Sequence, residues 1–241
     1  MDTHHSGELV NYLQSSEVDA VELAKLEWNL APLLTGFSPI RPVTLHKQIS
    51  TDARFFVSLL ELIFKPASDT STERGELEPA AKRKAEYAWR VLDSWKGLPG
   101  MQDDGSIDVD VLRDWIRLAR EQAKEKDRTK MCDIQIGEML AHSPPGADNV
   151  WPSLPICQIL EELDNAQVER GLFSEKLNQR GVVTKNLSEG GQQERNLAKQ
   201  YSDWAEVRQA DWISAPRVLR RLAESYEFEA KREDDEAGSS S

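Results

Sequence analysis

From Asn178 to Arg195 the chain reads Asn-Gln-Arg-Gly-Val-Val-Thr-Lys-Asn-Leu-Ser-Glu-Gly-Gly-Gln-Gln-Glu-Arg, the one stretch where amides, guanidiniums, carboxylates and glycines crowd together. Arg180 and Arg195 could present planar, permanently charged forks to a carboxylate or phosphate, with Glu189 and Glu194 orienting them. Gly190-Gly191, at the start of a helical segment, would leave backbone N–H groups open to an anion, and Asn178 would add an amide. Asn178, Arg180, Glu189, Gly190, Gly191, Glu194 and Arg195 are therefore the candidate ligand- or partner-binding residues. The same composition also suits a corner: a glycine pair is common turn punctuation, and loop arginines commonly tie to neighbouring carboxylates. Glu189-Gly190-Gly191 lacks the following Lys-Ser/Thr of a phosphate-binding loop and does not follow a β-α-β pattern.

Other residues offer less chemistry. Cys132 and His142 are a formal nucleophile and base, but no Asn or Asp follows at a family spacing, and a buried structural cysteine is the expectation. Around Gln102-Asp-Asp-Gly-Ser-Ile-Asp108, a calcium-loop register puts Gly100 and Val111 where the first carboxylate and the bidentate Glu belong. A glycine turn leading into an Asp108 helix cap is expected instead. The four histidines and two cysteines show no metal-ligand spacing beyond the adjacent His4-His5. No metal site, no catalytic set and no cofactor is expected.

The elements that would position these residues all read as helices. Leu23, Leu26, Leu30, Leu33 and Leu34 recur at three and four, with Pro32 marking an end or kink. Leu45 and Ile49 lead through Ser50-Thr51-Asp52, a capping cluster, into Phe55, Phe56, Leu59, Leu60, Ile63 and Phe64, stopped by Lys65-Pro66. Further helices are expected at 78–95, from Asp108 through Ala119, at 131–142 and at 156–170. Two more carry Leu197, Tyr201, Trp204 and Ala205, then Val218, Leu219, Leu222 and Tyr226. Trp89, Trp95, Trp115 and Trp204 are in phase with aliphatic neighbours and read as core, while Trp151 and Trp212 sit at helix entrances. Only 181–184 could be extended. The fold class is thus all-α, an irregular bundle of about eight helices, and no constant repeat supports a solenoid. Residues 16–230 read as a single domain, with 67–76 as the place where it could subdivide, between a disordered start (1–15) and a disordered acidic, Ser-rich tail (231–241).

The chain has 241 residues and 39% hydrophobic content, enough for a packed core. Lys and Arg total 30 against 42 Asp and Glu, a net charge of −12, which repels a phosphate backbone unless cations cluster. The densest basic group, Arg217, Arg220 and Arg221, is followed at once by Glu224, Glu227 and Glu229, so nucleic acid is not an expected partner. The longest apolar run, 55–64, is too short for a bilayer, so no membrane partner is expected. Two cysteines and no signal-type start suggest a reducing cytoplasm.

The run carrying Trp151-Pro152, Leu160-Glu161, Arg170-Gly171, Asn178-Gln-Arg-Gly181, Glu189-Gly-Gly-Gln-Gln-Glu-Arg195, Tyr201, Val218-Leu219 and Tyr226 resembles a helical C-terminal region of large, poorly characterised bacterial proteins. The Trp89–Arg120 part is similar to the same region, so the resemblance spans residues 20 to 235. Such proteins occur in defence or toxin-antitoxin settings. The resemblance brings no activity with it and implies an accessory module, or a fragment that works as a partner of a larger assembly. The leading expectation is therefore a cytoplasmic helical module that binds a protein partner in a bacterial defence-type system. An enzyme or small-anion-binding domain using the 178–195 loop is the alternative, and a nucleic-acid binder is third.

Overall fold

A computed structural model of the chain describes residues 12, 19–34, 42–69, 78–181 and 190–239. All of the expected disordered start except Tyr12, and most of the connector at 67–76, lie outside these residues, as do the extended piece at 182–184 and Glu189. Among the described residues there are ten helices and no strand. They are α1 (Ala20–Leu34), α2 (Val43–Thr51), α3 (Ala53–Ile63), α4 (Pro79–Ser94), α5 (Val109–Glu125), α6 (Thr129–Leu140), α7 (Leu154–Leu163), α8 (Ala166–Asn178), α9 (Gln192–Arg208) and α10 (Ser214–Ser239). The all-α irregular bundle is what the apolar spacing predicts. None of these helices is long and apolar enough to cross a membrane.

Two helices exceed the eight expected, and each has a local cause. Leu45 and Ile49 do not simply lead into the Phe-rich helix but form α2. Asp52 then takes an extended conformation, and its carboxylate accepts from the Arg54 N–H to start α3. Likewise the single helix expected over 156–170 is two. Asp164 enters the left-handed region at φ 35°, and Asn165 caps α8 by accepting from the N–H groups of Gln167 and Val168. Asp and Asn are the non-glycine residues for which that pair of conformations is least costly. The Asp108 cap is present as expected, accepting from the N–H groups of Asp110 and Val111.

The chain forms two compact units, Met1–Cys132 and Asp133–Ser241, so the break falls within α6 rather than near 67–76. The polar segment at 67–76 separates α3 from α4 in sequence, yet both belong to the same unit and pack on one another. In the first unit the core centres on Phe56, Trp95 and Trp115, whose ring centroids lie 5.0–6.1 Å apart. Both indoles find acceptors, Trp115 Nε1 donating to the Ile49 carbonyl and Trp95 Nε1 to Ser50 Oγ, each at 3.0 Å. Glu27 of α1 is fully buried and accepts from the Thr44 and Leu45 N–H groups, capping α2 from another helix where Pro42 offers no side-chain cap. Trp89, expected in this core, is 52% exposed. The inward stripe of α4 is Tyr87, Ala88, Val91 and Leu92, which turns position 89 outward.

In the second unit α9 and α10 form an antiparallel pair, against which α7 and α8 pack. Tyr201 and Tyr226 stack across the pair at 5.6 Å with rings 3° from parallel, and Trp204 meets Tyr201 edge-on. Arg208 at the end of α9 is 4% exposed and organises the loop before α7: it donates to the Val150 and Pro152 carbonyls and pairs with Asp148. Trp151 in that loop is buried, with Nε1 donating to Ser143 Oγ. Helix α10 continues through residues 231–239, where the sequence suggested a disordered tail. Asp234 within that extension is anchored by Arg195 of α9.

Candidate functional site

The 178–195 candidates divide when placed in the fold. Asn178 is the exposed last residue of α8, its carbonyl accepting from the Gly181 N–H. Arg180 lies two residues beyond α8 and reaches α9 and α10. It donates to Glu194 Oε1 through Nη2 and to Glu229 Oε2 at 3.4 Å through Nη1, and its guanidinium sits 5.4 Å from the Tyr226 ring centre. The Glu194 carboxylate is 1% exposed and Arg180 16%, so this is a buried ion pair joining three helices.

The second cluster is at the start of α9. Gly190 has φ 55°, a left-handed turn that suits glycine. At Gly191 a Cβ would lie 2.2 Å from the Ala230 carbonyl oxygen, so the absence of a side chain lets the α9 backbone reach α10. The Gly191 N–H donates to Asp234 Oδ1 at 2.9 Å, and Arg195 pairs with both oxygens of the same carboxylate, at 2.6 and 3.3 Å. These bonds hold the Asp234 carboxyl down to about 2, Arg195 contributing most and the backbone N–H next. The anion expected at the glycine-rich helix start is thus an internal side chain.

Beside Arg180 is a cleft of about 460 Å³ lined by Leu177, Gly181, Tyr226, Glu194, Glu229 and Glu233. One guanidinium faces three carboxylates there, so the surplus field is negative and opposes an anionic ligand. Arg180 and Arg195 therefore act as ties between helices.

The remaining candidates are also engaged. Cys132 and Cys157 are fully buried and not joined in a disulfide, and burial pushes Cys157 up to about 11. His142 sits in a four-residue hydrogen-bond chain. Lys176 Nζ donates to Gln179 Oε1, and Gln179 Nε2 donates to the Ala141 carbonyl, which fixes the amide orientation. The same Nε2 then faces His142 Nδ1 at 3.1 Å, so Nδ1 accepts and Nε2 carries the proton toward Glu175 Oε1 at 2.9 Å. Lys176 lies 4.3 Å over the Trp151 ring, and burial lowers its pKa from the ordinary lysine value. Both ring nitrogens of His142 are thereby taken.

The basic triplet is dispersed. Arg217 pairs with Glu169 and Asp164, Arg220 donates to Gln209 Oε1, and Arg221 lies over the Phe173 ring. Among the described residues no group of three or more His, Cys, Asp or Glu could hold a metal ion.

One surface was missed by attention to the polar loop. In the first unit a groove of about 690 Å³ runs between the α2–α3 junction and α5. Leu98 and Trp115 form its floor, and Met101, Val111 and Leu118 stand exposed along its side. The signal was present at Val111 and Leu118, which share a face of α5 with Trp115 and leave that apolar face wider than a buried stripe needs. Compared with known proteins, the chain matches no family model, no curated protein and no solved structure.

Proposed function

We propose that the chain is a non-catalytic helical module that binds a protein partner, and that the groove of the first unit receives an apolar segment of it. The observation that carries this reading is the groove itself: three exposed apolar side chains, Met101, Val111 and Leu118, around a floor with a buried indole. A concave apolar strip bordered by charge suits an amphipathic helix or extended peptide with one or two apolar anchors. Lys47 and Arg54 are exposed at its rim, while Asp52 is engaged in capping α3 and Asp114 lies against Arg117. The rim therefore favours a partner segment with carboxylates beside its anchor. The engagement of Arg180 and Arg195 inside the fold adds support, since it weighs against the anion-binding alternative. A bacterial defence-type system is the setting that the sequence resemblance suggests.

The test is comparative capture from the native host. A protein retained by the wild type and lost with Leu118→Glu and with Val111→Asp, at unchanged melting temperature, supports the reading. Retention of the same protein by both variants overturns it.

A further inference from the structure

The charge sequence along the exposed face of α10 is self-complementary. Arg220, Glu224, Phe228, Lys231 and Asp235 recur at intervals of three and four and are all exposed, so they form one stripe of the helix. Phe228, at its middle, is 70% exposed. Along the stripe Arg220 and Glu224 precede it, and Lys231 and Asp235 follow it. A second α10 laid antiparallel, with a twofold axis between positions 227 and 228, sets Glu224 opposite Lys231 and Arg220 opposite Asp235. Each pair occurs twice by symmetry.

The side chains are available for this. Glu224, Lys231 and Asp235 make no ion pair among the described residues, and Arg220 holds only the amide of Gln209. Next to the stripe, between α9 and α10, lies a groove of about 670 Å³. Phe228 itself lines it together with Ala198, Ser202 and Ala223, and the Lys199–Asp203 pair, Glu224, Glu227 and Lys231 border it with charge. The small side chains of Ala198 and Ala223 leave space beside the Phe228 ring. The twofold axis brings the two Phe228 residues within about one residue rise, roughly 1.5 Å, of each other along the helices, so the two rings meet beside the axis.

We propose that α10 is a homodimerisation surface whose occupant is a second copy of this chain, paired antiparallel through Phe228 and the Glu224–Lys231 and Arg220–Asp235 charges. This is independent of the groove in the first unit. A parallel pairing would set like charges side by side, so the charge order selects the antiparallel one. The pairing weakens with added salt, because its ion pairs lie at the rim.

Sedimentation equilibrium of the full chain over a concentration series, at low and high salt, tests this. A reversible monomer–dimer equilibrium is expected. Glu224→Lys places two lysines opposite each other twice over and should weaken association at least about tenfold, as should Lys231→Glu. The double variant Glu224→Lys/Lys231→Glu exchanges the signs on both copies and should restore it. Both positions are exposed, and circular dichroism melting of each variant checks that the fold is kept. A monomer at every concentration overturns the proposal. So does a dimer indifferent to the single reversals, or single reversals that the double variant fails to rescue.

Discussion

Arg180 and Arg195 differ in what their loss does, although both looked like site residues. Arg180 is paired with a carboxylate that is 1% exposed, so Arg180→Ala leaves Glu194 buried without its guanidinium. Breaking such a pair from one side costs about 3 kcal/mol. Arg195 and Asp234 are 40% and 44% exposed, so solvent screens their pairing and Arg195→Ala should destabilise far less than Arg180→Ala. Urea denaturation of the two variants checks this; equal destabilisation, or none for Arg180→Ala, would contradict the assignment of Arg180 as an internal tie. The sequence held the right residues here but not their roles. Arg180 meets Glu229 forty-nine positions away, and Arg195 meets Asp234 thirty-nine positions away. No local spacing announces such partners.

At the scale of elements, the crossing of α6 and α8 is set by two glycines facing one another's backbones. A Cβ on Gly137 would lie 2.0 Å from the Val168 carbonyl oxygen, and one on Gly171 would lie 2.0 Å from that of Ile134. Neither neighbour is a movable side-chain end, so either substitution must push the helices apart. Gly171→Ala and Gly137→Ala should each destabilise by about 1–3 kcal/mol despite alanine's better helix propensity, as over-packing in a rigid crossing does. Thermal melts read this directly, and a raised melting temperature would refute the close crossing. Helix caps were readable from sequence because they are local: Asp52 and Asp108 act within three residues. The Gly137–Gly171 meeting was not, since it depends on which two helices pack.

For the whole molecule, several carboxylates are held below their ordinary range by native partners. Arg195 and the Gly191 N–H lower Asp234, Arg208 and the Val150 N–H lower Asp148, and the Ser214 and Ile213 N–H groups lower Glu161. A carboxylate with a depressed native pKa contributes stability that is present above its unfolded value and is lost as pH falls through the native one. Stability should therefore be flat near neutrality and decline between about pH 4 and pH 2, the window set by 3.8 and about 2 for Asp234. Asp234→Asn should shallow that decline while lowering stability at pH 7. Melting temperature against pH for the two proteins measures it, and parallel profiles would show that Asp234 contributes nothing.

The sequence by itself determined that this chain is helical, because apolar residues recur at three and four wherever they recur at all, and because helix ends are written in adjacent Asp, Asn, Pro and Gly. It also bounded the chemistry, since charge balance and ligand spacing are properties of composition and order. Tertiary structure alone decided that Trp89 faces outward while Trp151 is enclosed, that the unit boundary falls within α6, and that the conspicuous arginines bind carboxylates of the same chain. Those outcomes depend on which faces meet in space. A helix repeats its pattern whatever lies against it, so residues far apart in sequence find their partners only when the helices pack.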